Sequence, residues 1–205
     1  MLLSVIVPSL TGKVPQSLKE DPRLEIIVVT AVKPVAAARN VGLARATGEY
    51  VAWVDADDEV ADDWLEAILR GLAERPDVLS FNARVEWHDG SGRKPYAIDG
   101  RRAGQLWCKV FRRSLFDGLQ FEGAVHEDWR IQCQMPKKLR RAHVDRELYV
   151  YQRHADGLSQ HRDAGAVLRA LWGLLKICNS WTMFCGICER AWDFAKTPLR
   201  RMFRR

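Results

Sequence analysis

An α/β fold with a mostly parallel central sheet flanked by helices follows from three observations. Short β-branched runs recur early in the chain, at residues 4–7, 25–29 and 50–54. Helical composition fills the space between the second run and the third. Each run also ends on a residue that suits a strand end, namely Pro8, Thr30 and Asp55. Strands that alternate with helices in this way pair in parallel, because each crossover carries the chain back to the same edge.

Taken in order, Ser4-Val5-Ile6-Val7 is a buried strand stopped by Pro8. Residues 9–24 are polar, contain two prolines and hold only a short helix. Glu25-Ile26-Ile27-Val28-Val29 is the second strand. Residues 34–46 are alanine-rich and helical; Pro34 suits the first turn and Thr47-Gly48 the stop. Tyr50-Val51-Ala52-Trp53-Val54 is the third strand and runs straight into Asp55-Ala56-Asp57-Asp58. Asp62 or Asp63 caps the next helix, whose Leu65, Ile68, Leu69 and Leu72 share one face. Residues 78–87 read as a strand and 88–104, rich in Gly, Asp and Arg, as a loop. Residues 106–116 mix aromatic and basic side chains. A helix starts near Glu127, and residues 144–152 form the last strand. Ligands bind beyond the carboxyl ends of such strands, so one crevice would collect Pro8, Thr30 and Asp55.

The 205 residues suit one domain with an appended segment, and 47% hydrophobic content provides for a sizeable core. The formal net charge of +6 is concentrated at the end of the chain. Arg190, Lys196, Arg200, Arg201, Arg204 and Arg205 face only Asp193 there. The rest is near neutral, which argues against a nucleic-acid-binding domain. Five cysteines, an odd and sparse set, fit a reducing compartment. Cys178, Cys185 and Cys188 lack a fourth ligand and read as buried thiols. The opening apolar run is too short for a signal peptide, and the longest uncharged run near the other end, 177–188, is too short to span a bilayer. The expected location is the cytoplasm.

Asp55, Asp57 and Asp58, placed directly after an apolar strand, repel one another. A hard divalent cation shared with substrate phosphates relieves that repulsion. A solvated acidic turn that caps the following helix is the competing reading.

The order of motifs decides between them. Ala38-Arg39-Asn40-Val41-Gly42, then Gly48-Glu49-Tyr50, then Asp55-Ala56-Asp57-Asp58 resembles the A-R-N-x-G, G-x-Y and D-x-D-D series of the family 2 glycosyltransferases. The first two strands resemble theirs as well. Further on, Lys109-Val110-Phe111-Arg112-Arg113-Ser114-Leu115 is similar to their K-x-F-R-R-S-L element, and Glu127-Asp128 to their Glu-Asp motif. Tyr149-Val150-Tyr151-Gln152-Arg153 with Ser159 is similar to their closing Y-x-Y-x-R…S segment.

This resemblance implies a GT-A, Rossmann-like domain over 1–160 and an inverting transfer of sugar from a nucleoside diphosphate, commonly UDP, to an acceptor hydroxyl. It implies that Asp57 ligates Mn²⁺ or Mg²⁺, while Asp55 holds the ribose or helps to place the metal. Asp58 would support that shell or cap the next helix. Asp128 would be the general base, with Glu127 its rival. Pro8 would lie beside the nucleobase, and Thr30, Arg39 and Asn40 would line the donor pocket. Trp107 and Trp129 would stack on sugar or belong to the core. Lys109, Arg153 and His154 are further candidates for the acceptor or the diphosphate.

Two features stand apart. Family members follow the second strand with an Asp-Asp-Gly-Ser type turn, whereas Thr30-Ala31-Val32-Lys33-Pro34 stands here. That loss of carboxylates admits an alternative, a catalytically silent member of the fold that acts in binding or assembly at a membrane. In 161–205, Leu168, Leu171, Trp172 and Leu175 form a helical apolar stripe ahead of the basic tail. Such a segment would rest on an anionic membrane surface or pack on the catalytic domain. Membrane contact would suit a lipid-linked or envelope-glycan acceptor.

Overall fold

The computed structural model describes residues 2–123 and 126–155. The stripe and basic tail expected after residue 160, Ser159, and Cys178, Cys185 and Cys188 lie outside the described residues. Among those described, Cys108 and Cys133 are buried, and no helix is long and apolar enough to cross a membrane.

Strands β1 (Leu3–Ser9), β2 (Leu24–Thr30) and β3 (Tyr50–Trp53) pair in parallel around β1. Alternation decides which side chain faces which layer. Leu3, Val5, Val7, Tyr50, Ala52 and Val54 enter one core, and Ile6, Val51 and Trp53 enter the other. Both faces are thus apolar, as a sheet covered on both sides requires. Helix α1 (Val35–Arg45) covers the Ile6 face, with Ala36 and Ala38 buried. Gly42 makes this close approach possible, since a β-carbon there would overlap Ile6. Glu25 fixes the chain after the helix. Its carboxylate accepts bonds from the Ser4 hydroxyl (2.5 Å), Thr47 N–H (2.9 Å) and the Thr47 hydroxyl (3.0 Å).

Beyond β3 come β4 (Glu59–Val60) and α2 (Trp64–Gly71), and α2 buries Trp64, Ala67 and Ile68 against the Leu3 face. Asp63 precedes α2 but makes no side-chain cap; it pairs with Arg146 at 2.5 Å. β5 (Val78–His88) follows, and β6 (Tyr96–Ile98) pairs with it inside the stretch expected to be loop. Between Ser9 and Leu24 the chain makes turns and no helix.

The aromatic and basic stretch becomes β7 (Lys109–Arg112) and a 3₁₀ turn, Arg113–Phe116. β7 inserts antiparallel between β3 and β5. α3 (Glu127–Gln134) and β8 (Arg141–His154) complete the fold, with β8 parallel to β5 and antiparallel to β4. The sheet order is β2-β1-β3-β7-β5-β8-β4. The early strands are parallel as expected, and the sheet as a whole is mixed. Trp53 anchors the core on the Ile6 face, with Phe111, Phe116 and Phe121 edge-on to it at 6.1, 5.3 and 5.5 Å.

Candidate active site

The register of the parallel strands aligns their ends. Ser9 lies opposite Thr30, and Ile6 lies opposite Trp53. Pro8 and Asp55, each two residues further on, therefore stand at the same level. Pro8 is half-buried and Thr30 exposed. Ala31, directly after Thr30, has a left-handed backbone with φ 59°, as does His126 ahead of α3 with φ 57°. Non-glycine residues adopt that conformation at a cost, and such strain gathers near functional sites.

The acidic turn is tied to the far side of the sheet. Asp55 N–H donates to the Tyr149 hydroxyl at 3.1 Å, and that hydroxyl donates to Asp58 Oδ2 at 2.6 Å. Gln152 N–H donates to Asp58 Oδ1 at 2.8 Å, and Asp58 N–H closes the turn onto Asp55 O at 3.1 Å. Asp58 is only 2% exposed. Burial first, then the negative charge of Asp55, pushes its carboxyl up to about 9. Burial also pushes Tyr149 well above its usual value, with Asp58 and Asp55 adding to it.

The crowding of three carboxylates is thus relieved within the protein. Asp58 points inward, where burial favours its protonated form. Asp55 faces Arg39, its Oδ1 3.7 Å from Nη2. Asp57 alone of the three is exposed. Burial raises Asp55 above the ordinary carboxylate range against the pull of Arg39, and Asp57 and Glu127 add to the rise.

Two carboxylates, Asp55 and Asp57, remain for a cation. Among the described residues no three His, Cys, Asp or Glu side chains converge into a cage. Such a donor set fits Mg²⁺ or Mn²⁺ shared with a diphosphate, because these ions accept one or two carboxylates when phosphates complete the shell.

α3 brings the second acidic pair to the same place. Glu127 is buried, and its Oε1 accepts from Arg39 Nη1 at 2.5 Å. Arg39, 6% exposed, therefore stands between Asp55 and Glu127. Burial alone would lower its pKa, but Asp55, Glu127 and Asp128 together raise it. Asp128 is half-buried in the first turn, and its Oδ1 accepts from Trp129 N–H at 2.9 Å. Asn40, expected in the donor pocket, binds the Phe121 backbone with both ends of its amide, at 3.0 and 2.8 Å.

The acceptor candidates divide. Lys109 is interior, 5% exposed, with its ammonium on the carbonyls of Ala103 and Gln105 and on Gln132 Oε1. Burial lowers its pKa. Trp107 is 7% exposed and stacks on Tyr149 and Tyr151 at 4.9 and 5.4 Å. Trp129 is 4% exposed and packs so closely on Gly104 that a β-carbon there would overlap its ring. All three are core residues rather than open platforms. Arg153 and His154 end β8, where the Arg153 guanidinium lies 4.7 Å from the Trp87 ring and His154 stacks on His88.

Tyr149 and Gln132 are the residues that sequence reasoning passed over. Tyr149 stands inside the Y-x-Y segment, which marks its position but not its contacts. Gln132 follows Asp128 by one helical turn, donating to the Asp128 carbonyl at 2.8 Å and to Gly104 O at 2.6 Å. That spacing was the available signal.

The family described as glycosyl transferase family 2 matches residues 10–126. The putative glycosyltransferase EpsH of Bacillus subtilis (strain 168) is 29% identical over an alignment of 99 residues that covers 40% of this chain and 28% of EpsH. The putative teichuronic acid biosynthesis glycosyltransferase TuaG of the same organism is 40% identical over 63 residues, 31% of this chain and 25% of TuaG. The chain thus covers about a quarter of the length of these curated relatives. Among solved structures, S. aureus TarS 1–349 in complex with UDP-GlcNAc superposes with a TM-score of 0.71 at 18% identity. That match covers 96% of this chain and 74% of the TarS chain. The complex of the same TarS fragment with UDP gives 0.66 at 16% identity, covering 96% and 73%. At such identities the likeness concerns the fold, which is GT-A.

Proposed function

This chain belongs to glycosyl transferase family 2, and from that premise we propose that it moves a sugar from a UDP-sugar to an acceptor hydroxyl with inversion. The observation that carries the reading is the meeting of the Asp55 turn and the Glu127–Asp128 helix at one buried arginine, Arg39. A donor-side carboxylate and a candidate base thereby belong to one cleft. The UDP-GlcNAc and UDP bound by TarS support a uridine donor.

In this mechanism Asp128 accepts the proton of the acceptor hydroxyl as its oxygen attacks the anomeric carbon. The bond from that carbon to the diphosphate breaks on the opposite face, and UDP departs. A positioned carboxylate contributes about a hundred- to ten-thousand-fold in such a step. Glu127, held by Arg39 at 2.5 Å, serves as the ionic anchor of the helix rather than as the base. Asp57 with Asp55 would hold Mn²⁺ or Mg²⁺, which supplies charge neutralisation at the departing diphosphate. Pro8 and Thr30 border the nucleobase, and Arg153 with His154 approach from the end of β8.

The relationship to TuaG supports an envelope-glycan acceptor. The basic residues after Arg190 support contact with the inner face of the cell membrane.

A screen of nucleotide sugars for metal-dependent hydrolysis and thermal stabilisation tests the reading. UDP-sugars are expected to bind and turn over with Mn²⁺ or Mg²⁺. Asp57→Ala is expected to abolish both without lowering the melting temperature, because Asp57 is exposed. Absence of any nucleotide-sugar binding in the wild type would leave the silent alternative.

A further inference from the structure

The middle of α1 touches three segments that are distant in sequence. Arg39 Nη2 faces Asp55 at 3.7 Å, and Nη1 binds Glu127 at 2.5 Å across 88 residues. Its guanidinium carbon lies 6.0 Å from the Phe121 ring. Asn40 accepts from Phe121 N–H and donates to Phe121 O, as a paired strand would. Phe121 is 3% exposed and packs edge-on against Trp53 at the end of β3.

We propose that Arg39 and Asn40 are positioning residues that couple the donor turn to the helix carrying Asp128. The proposal rests on the reading of the cleft given above. Three points argue for it. First, a buried ion pair adds little net stability over apolar packing, since desolvation offsets the attraction; what it fixes is geometry. Second, Arg39 Nε is buried without a hydrogen-bond partner among the described residues. An unsatisfied buried donor is unfavourable, and here it accompanies a guanidinium aimed at two carboxylates. Third, consecutive helix residues point about 100° apart, so Arg39 and Asn40 grip different segments from one rigid rod. A displacement of Asp55 reaches Glu127 through a single planar fork, and Glu127 adjoins Asp128 in the same turn. Neither side chain needs to touch the donor.

Arg39→Lys tests this, because a point charge cannot engage both carboxylates as the fork does. UDP affinity, measured with Mn²⁺, is expected to stay within about threefold of wild type. Turnover of UDP-GlcNAc at saturation is expected to fall about tenfold or more. Glu127→Gln should lower turnover alike, and the double variant should lose no more than the worse single one, the sign of residues acting as a unit. Amide exchange in residues 127–134 should accelerate in Arg39→Lys and in Asn40→Ala, with residues 3–9 and 50–53 unchanged.

Weaker UDP binding with saturated turnover intact would make Arg39 a donor ligand and overturn the proposal. Faster exchange throughout, with melting temperature and turnover falling together, would make it merely structural and also overturn it. Should the wild type bind no UDP, the glycosyltransferase reading fails by itself. The exchange pattern then decides the coupling, with acceleration confined to 127–134 supporting it and an unchanged pattern refuting it.

Discussion

Residues 3–58 and residues 106–154 each bring a carboxylate to Arg39, by different means. The first segment builds its half from consecutive elements: β1, β2, α1 and β3 follow one another and pack on one another. Its ties converge on one side chain, with the Ser4 hydroxyl and the Thr47 N–H donating to the Glu25 carboxylate. The second segment depends on elements that lie far apart. β7 joins strands that precede it, and α3 is held by Arg39, Lys109, Gln132 and the seat of Trp129 on Gly104. The proposed donor side, made of contiguous units, tolerates change in the rest of the chain. The proposed base stands on a short helix of eight residues, which has little stability of its own and takes its position from its neighbours.

Six substitutions sharpen or break that contrast. The largest effect is expected within the acidic pair of α3. Asp128→Asn should reduce turnover about a hundred- to ten-thousand-fold with UDP binding kept. Glu127→Gln should cost less turnover than that but about 3 kcal/mol of stability, since it leaves Arg39 buried opposite a neutral amide. The larger turnover loss in Glu127→Gln, with the stability loss in Asp128→Asn, would exchange the two roles, as steady-state kinetics beside denaturant melts would reveal.

Next come the two glycines of close approach. Gly42→Ala in the first segment and Gly104→Ala in the second should each destabilise by about 1–3 kcal/mol through overpacking. Only Gly104→Ala is expected to loosen residues 127–134 selectively in amide exchange; if both loosen α3 equally, the halves are not independent.

Tyr149→Phe removes one hydroxyl that serves Asp55 N–H and Asp58 together. A loss of about 1–3 kcal/mol is expected, since both groups are left short of a partner. Donor affinity should weaken with it, because the Asp55–Asp58 turn loses its anchor; unchanged calorimetric binding of UDP would show that the turn holds itself.

The smallest effect concerns Glu25. Burial alone would raise its carboxyl, but bonds from Ser4, Thr47 and Gly48 outweigh it and hold the pKa below the usual 4.5. A group depressed on folding contributes stability that is present above the unfolded value and lost as pH falls through the folded one. Glu25→Gln should therefore lie below wild type at neutral pH and converge with it on acidification, as melting temperatures across pH 3–7 would test (about one unit either side of the usual carboxylate range).

Several features were legible in the chain itself. The apolar runs at 4–7, 25–29 and 50–54 became β1, β2 and β3, and 34–46 became α1, because periodicity and stop residues are local properties. Gly42, read as part of a motif, has a physical cause in its contact with Ile6. β7 was hidden because four residues with Lys and Arg among them carry no strand pattern. Its Lys109 is buried only because the carbonyls of Ala103 and Gln105 and the Gln132 side chain surround it. β6 was hidden in polar sequence because it lies at an exposed edge.

The order of elements, the alternation of faces and the carboxylates at the strand and helix starts were determined by the sequence alone, since each depends on residues within a few positions of one another. Tertiary structure decided where each carboxylate stands and what it faces. It turned Asp58 inward to Tyr149, left Asp57 in the open, and set Arg39 between Asp55 and Glu127. Those assignments depend on distances across 88 and 91 residues of chain. The charge state of a buried acid follows from what surrounds it in space, and no local pattern records that.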